Sequence, residues 1–219
     1  MDKKENLDVD DAYSLQTPAD SVRLYEKWAD TYDADFVAKE AYVAHLRVAE
    51  VFVQQPVDGS VLDVGCGTGG VGVSLREHGV EDIVGVDISP QMLAVAANKK
   101  AGDGNAVYRG LIAADLTQKL DFPDDQFAGI ISAGTFTHGH LGPEPLDELW
   151  RVAAPGARCV IGVRTTHFEA LGFGDKLDAD VAARKITAPE FVEINIYDAR
   201  EQNSTHAGDR LFVVVCQVV

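Results

Sequence analysis

A chain of 219 residues with 46% hydrophobic and 25% charged residues has the composition of a globular protein and the length to bury a sizeable core. Its formal net charge of −16 at pH 7 repels nucleic acid and anionic membranes, and no apolar run reaches the roughly 20 residues that a bilayer span needs. Cys66, Cys159 and Cys216 are widely spaced and form no C-x-x-C pair, which argues against a disulfide framework and for a reducing, cytoplasmic setting; residues 1–11 lack the apolar stretch of an export signal.

In chain order, residues 1–17 read as a polar, acidic, mobile tail. From Pro18 to Gln55 the apolar residues recur at helical spacing, with Val22, Tyr25 and Ala29 on one row and Val37, Ala41, Ala44, Val48 and Val51 on another. Two helices broken near Asp33 are predicted. Residues 60–65 read as a short apolar strand and residues 69–78 as the helix after it. Residues 82–87 form a second strand, followed by a helix over 90–100 with Pro90 in its first turn. Residues 106–116 hold a third strand and 127–134 a fourth. A helix over 144–154 is closed by Pro155-Gly156, and a fifth strand covers 157–163. The segment 165–175 reads as a loop whose His167, Phe168 and Phe173 either line a pocket or belong to the core; 176–185 reads as a helix. Residues 190–199 and 210–219 are two more strands, joined by a polar loop too short for a helical crossover, which predicts an antiparallel pair.

Strands alternating with helices predict an α/β fold: one domain over 18–219, a seven-stranded mostly parallel sheet, helices on both faces, and an N-terminal helical segment over 18–55. Ligands of such sheets bind outside the C-terminal strand ends. The first strand ends there in VLDVGCGTGG, residues 61–70. Gly65, Gly67 and Gly70 satisfy the G-x-G-x-x-G of dinucleotide sites; Gly65, Gly67 and Gly69 satisfy G-x-G-x-G, a different nucleotide loop. Asp87 ends the second strand about 20 residues beyond the first glycine, where a carboxylate can bind ribose hydroxyls. Asp63 is a poor neighbour for a pyrophosphate and a good one for an ammonium group. Asp115, after the third strand, can accept from an adenine amino group, and the N–H of Leu116 can serve a ring nitrogen. A ligand with an ammonium, a ribose and an adenine but no phosphate fits all three acids. Each also has a plainer reading, as helix cap, turn former or solvated turn residue.

The ordered segments DVGCGTG, GVDIS, AADL, FAGIISAGTFTHGHL and LWRVAAPGARCVIGV resemble the motifs of class I S-adenosylmethionine-dependent methyltransferases, over roughly Tyr25 to Val219. YEKWADTYDADF and TFTHGHLGPEPLDEL resemble more narrowly the methyltransferase-like proteins of the Williams–Beuren-region type. The resemblance implies a Rossmann-like sheet in the order 3-2-1-4-5-7-6 with strand 7 antiparallel, S-adenosylmethionine as cofactor and S-adenosylhomocysteine as product. It assigns Asp63, Gly65 and Gly67, with Cys66 between the glycines, to the methionine moiety, and Asp87 to the ribose. It sets Ile88 and Met92 against the adenine, Asp115 and Leu116 at the adenine edge, and Ser132 and Ala133 at the methionyl end. Tyr25, Trp28, Tyr32 and Asp33 would lie in a lid, where aromatic faces attract a sulfonium; Trp28 fits ordinary core packing equally well. The turn at 155–157 reads PGA where the family often has PGG.

Methyl transfer rests on alignment and water exclusion more than on acid–base groups. His138 and His140 titrate near neutrality, so either is a candidate general base toward an acceptor hydroxyl or carboxyl, or simply a loop-holding residue. No third ligand accompanies them, and no metal site is predicted. The acceptor is expected to be a small molecule, with no nucleic-acid or membrane partner; the sequence leaves its identity and the oligomeric state open. Two other functions stay open: a non-catalytic S-adenosylmethionine-binding protein, and an NAD-dependent oxidoreductase, which Asp63 and the terminal antiparallel pair disfavour.

Overall fold

The computed structural model describes residues 17–137, 141–198 and 208–219. Helix α1 (Pro18–Trp28) starts on a capping box: the Asp20 N–H donates to the Thr17 hydroxyl at 3.2 Å, and the Thr17 N–H to the Asp20 carboxylate at 2.9 Å. Thr17 therefore belongs to the helix, and the predicted tail, as far as residue 16, lies outside the described residues. The two expected helices are separated by a turn over 29–31 and a π-helix, Asp33–Ala38, before helix α2 (Ala44–Phe52). Two Arg158 bonds, to the carbonyls of Val51 at 2.9 Å and Phe52 at 3.0 Å, cap α2 and tie it to the sheet.

The sheet is built from β1 (Val61–Val64), β2 (Ile83–Asp87), β3 (Gly110–Ala113), β4 (Phe127–Phe136), β5 (Ala153–Arg164), β6 (Glu190–Asn195) and β7 (Arg210–Gln217). Its order is β3-β2-β1-β4-β5-β7-β6. The first five strands are parallel, and β7 runs antiparallel to both neighbours, as expected. Helices α3 (Gly70–Glu77) and α4 (Pro90–Ala97) join the parallel strands, as does α5 (Pro145–Val152).

Side chains alternate across a strand, so each strand feeds two cores. Val61, Ile83, Ile131 and Val160 pack on one face with Trp28, Val48, Leu75 and Ala96 from the N-terminal helices, α3 and α4. Leu62, Val84, Ile130 and Cys159 pack on the other with Leu149, Trp150 and Leu177. Both tryptophans are buried, Trp28 in the first layer and Trp150 in the second, where its indole N–H donates to Asp180 at 2.9 Å.

Two local expectations are corrected. Pro155-Gly156 does not close a helix: α5 stops at Val152, Ala153 is already extended (ψ 133°), and the dipeptide sits in an irregular stretch of β5 that slips register against β4. The segment after β5 is not a loop but two helices, α6 (Thr165–Ala170) and α7 (Phe173–Ala182). Phe168 stacks on Phe173 and meets Phe191 and Phe212 edge-on, so these aromatics close the sheet's far end rather than line the cavity described below.

Candidate functional site

The turn after β1 is held from both sides. Gly65, Gly67 and Gly69 take positive φ values of 66°, 51° and 93°, which favour residues without a Cβ. At Gly65 the restriction is also steric, because a Cβ there would lie 1.9 Å from Thr135 Oγ1. The hydroxyls of Thr135 and Ser132 both donate to the Val64 carbonyl at 2.9 Å, so the end of β4 pins the end of β1. On the β2 side, the Asp87 carboxylate accepts from the Gly67 N–H and from the Ser89 N–H, each at 2.9 Å. Burial raises the Asp87 pKa, and these amide bonds oppose the rise. Each oxygen keeps lone-pair capacity for a further donor.

Asp63 goes elsewhere. Strand alternation turns it to the same face as Val61, under α3, where it is fully buried and accepts from the Tyr108 hydroxyl at 2.7 Å. Its other oxygen has no hydrogen-bond partner. Burial pushes its pKa up to about 7, the Tyr108 bond opposes the shift, and the Asp87 charge adds to it. Tyr108 reaches this position because Gly72 carries no side chain; a Cβ there would lie 2.4 Å from the phenol oxygen.

A cavity of about 450 Å³ opens above the turn. Tyr25, Tyr32, Gly65, Cys66, Gly67, Asp87, Ile88, Met92, Leu116 and Ala133 line it, which brings ten of the anticipated residues together. Four others do not line it. Asp63 lies beneath the turn, and Trp28 is in the core. Ser132 is buried on the Val64 carbonyl. Asp115 turns back to the N–H and hydroxyl of Thr117 at 2.9 and 2.7 Å. His138 and His140 lie outside the described residues; among those described, no group of three or more His, Cys, Asp or Glu is placed to hold a metal ion.

Asp33, expected in the lid segment, lines the wall, and so do Phe36, Tyr42 and His45, for which the sequence carries no signal of a role. Asp33, on the π-helix, accepts from the Thr68 hydroxyl at 2.6 Å and pairs with Lys99, joining the N-terminal segment to the glycine turn and to the residues after α4. Tyr42 and His45 stack with centroids 5.4 Å apart and planes 13° apart, while Tyr32 stacks on Phe36 at 4.9 Å. Burial holds the His45 pKa down at about 4, against the pull of Asp33, so the imidazole is neutral at pH 7. Burial likewise raises the phenol pKa values of Tyr25, Tyr32 and Tyr42, so all three remain protonated.

Fold and site together define a Rossmann-like protein with a nucleoside-cofactor cleft at the C-terminal ends of its parallel strands. A family profile described as a methyltransferase domain matches residues 61–156. Methyltransferase-like protein 27 of Homo sapiens is 31% identical over 159 residues, covering 70% of this chain and 62% of that protein. The demethylmenaquinone methyltransferase of Symbiobacterium thermophilum is 32% identical over 144 residues, covering 63% of this chain and 56% of that protein. The chain thus spans less than two thirds of the length of either relative. Among solved structures, that of the cyclase SpnF superposes with a TM-score of 0.66 at 13% identity, covering 92% of this chain and 97% of that one.

In sequence and in fold the chain is similar to the class I S-adenosylmethionine-dependent methyltransferases. The cavity fits their cofactor: Asp87 presents free acceptor capacity beside an apolar slot of Ile88, Met92 and Leu116, and the glycine turn lets backbone approach closely.

Proposed function

We propose that the protein transfers a methyl group from S-adenosylmethionine to a small-molecule acceptor. The observation that carries this reading is Asp87: a buried carboxylate that holds the glycine turn by one amide and keeps capacity for a ribose diol. Asp87 takes the ribose hydroxyls, Ile88, Met92 and Leu116 take the adenine, and Gly65, Cys66, Gly67 and Ala133 flank the methionyl end. Asp63, charged from about pH 7 upward, supports the ammonium through its field from beneath the turn and not by contact. Bound there, S-adenosylmethionine supplies an electrophilic methyl group. The N-terminal segment, with Tyr25, Tyr32 and Asp33 on the cavity wall, acts as a lid that excludes water.

Asp63 and Asp87 near the turn, with the Lys99 ammonium already paired to Asp33, suit a pyrophosphate poorly and argue against a dinucleotide. A small acceptor agrees with the chain's acidic charge and with relatives named for methylating demethylmenaquinone. Because a cyclase shares the fold, the deciding assay must read methyl transfer itself. Calorimetry is expected to show binding of S-adenosylhomocysteine and none of NADH, and a methyl-release screen over small acceptors is expected to show turnover. Tight NADH binding without S-adenosylhomocysteine binding would overturn the reading. Cofactor binding with no turnover on any acceptor, small or macromolecular, would leave a binding protein.

A further inference from the structure

Resting on the cofactor reading above, we infer that the same cavity takes an uncharged, flat-ring acceptor carrying a hydroxyl, and that Tyr42 and His45 orient it. The end of β4 fixes the place. A Cβ on Gly134 would lie 3.1 Å from the Tyr42 hydroxyl, so the phenol sits against the backbone next to Ala133, where the methionyl end of the cofactor lies in that reading.

The Tyr42 hydroxyl makes no hydrogen bond among the described residues, and burial keeps it protonated. It is a donor waiting for an oxygen. His45 stacks parallel to it and is also unbonded; its Nδ1 is buried without a partner. A neutral imidazole can accept from an acceptor hydroxyl, and leaving either group unmatched in a dry cleft costs about 1–3 kcal/mol. The ring faces of Tyr42 and His45 continue a wall that includes the stacked Tyr32 and Phe36, and flat π-faces favour a flat partner.

Charge narrows the class further. Among the described lining residues the Lys99 ammonium is the sole permanent cation, and Asp33 already neutralises it. A carboxylate or phosphate on the acceptor would enter without a counter-ion from the protein's lining residues. Relatives include a phosphoethanolamine N-methyltransferase of Arabidopsis thaliana, whose named substrate carries such a phosphate, so this cavity separates the chain from that chemistry.

The test uses the full chain loaded with S-adenosylhomocysteine, titrated by calorimetry with naphthol and with hydroxynaphthoate, the same ring system carrying a carboxylate. Naphthol is expected to bind and hydroxynaphthoate to bind at least about tenfold more weakly. Tyr42→Phe and His45→Leu are each expected to weaken naphthol roughly fivefold or more while S-adenosylhomocysteine affinity stays constant. That constancy also shows that both variants are folded. Absence of naphthol binding, equal or tighter hydroxynaphthoate binding, or an unchanged naphthol affinity in either variant would overturn the inference. Failure of the wild-type chain to bind S-adenosylhomocysteine would refute the cofactor reading first, so the two failures are distinguishable.

Discussion

At Gly65 a single missing methyl group decides whether the turn closes. Gly65→Ala would drive a Cβ into Thr135 Oγ1 in a backbone conformation that already disfavours alanine. Displacing Thr135 also releases one of the two hydroxyls that hold the Val64 carbonyl. A loss of roughly 1–3 kcal/mol in denaturant unfolding is expected, with a sharp drop in S-adenosylhomocysteine affinity. A variant of wild-type stability would show that the turn is not clamped as described.

Asp63 makes a pH-dependent prediction. Its folded pKa is raised to about 7 from an ordinary value of 3.8, so the folded state holds the proton more tightly than the unfolded state does. Its contribution to stability is therefore complete below about pH 4 and declines as pH rises through 7. Asp63→Asn keeps an acceptor for the Tyr108 hydroxyl and removes the titration. The stability of the wild type relative to this variant is expected to fall by up to a few kcal/mol between pH 4 and pH 8. A flat difference across that range would mean that Asp63 does not titrate there. Asp63 also shows the reach of the sequence. Its place at a strand end is legible from alternation and the glycine pattern, whereas its partner Tyr108 lies 45 residues away and admits no local signal. Tyr42 and His45 are illegible for the same reason: in sequence they are ordinary residues of a helical stretch, and only folding sets them against Gly134 and Gly70.

At the scale of elements, apolar runs alternating with helical stretches placed all seven strands, and the short polar loop before the last strand gave the antiparallel ending. Periodicity failed where the backbone departs from standard periods. The π-helix resembles a helix break in sequence, and π-helical turns often mark functional sites. Here the π-helix carries Asp33, which latches the N-terminal segment to Thr68 and Lys99. The Lys99 pair is partly exposed, with side-chain exposures of 32% and 42%, so it adds no more than about 1 kcal/mol to global stability. Its effect belongs to local opening. Asp33→Asn keeps an acceptor for Thr68 and loses the ion pair; stopped-flow measurement is expected to show severalfold faster S-adenosylhomocysteine release with an almost unchanged melting temperature. An unchanged release rate would remove the latch from cofactor retention.

Taken whole, the molecule is a sheet between two separate cores, with the cleft above one of them. The chain has two tryptophans, and this division deals one to each layer. Trp28, 2% exposed, meets Tyr32 and Phe36 edge-on at 5.2 and 5.5 Å, while Trp150 lies beyond the sheet on Asp180. The protein thus carries its own optical gauge. In a Trp150→Phe background all indole emission comes from the N-terminal segment that walls the cleft, and the proposed lid action predicts emission that is blue-shifted while Trp28 stays dry and red-shifted when that segment lifts. The gauge needs no attached dye, and adding Asp33→Asn should move it toward the red before any global unfolding begins.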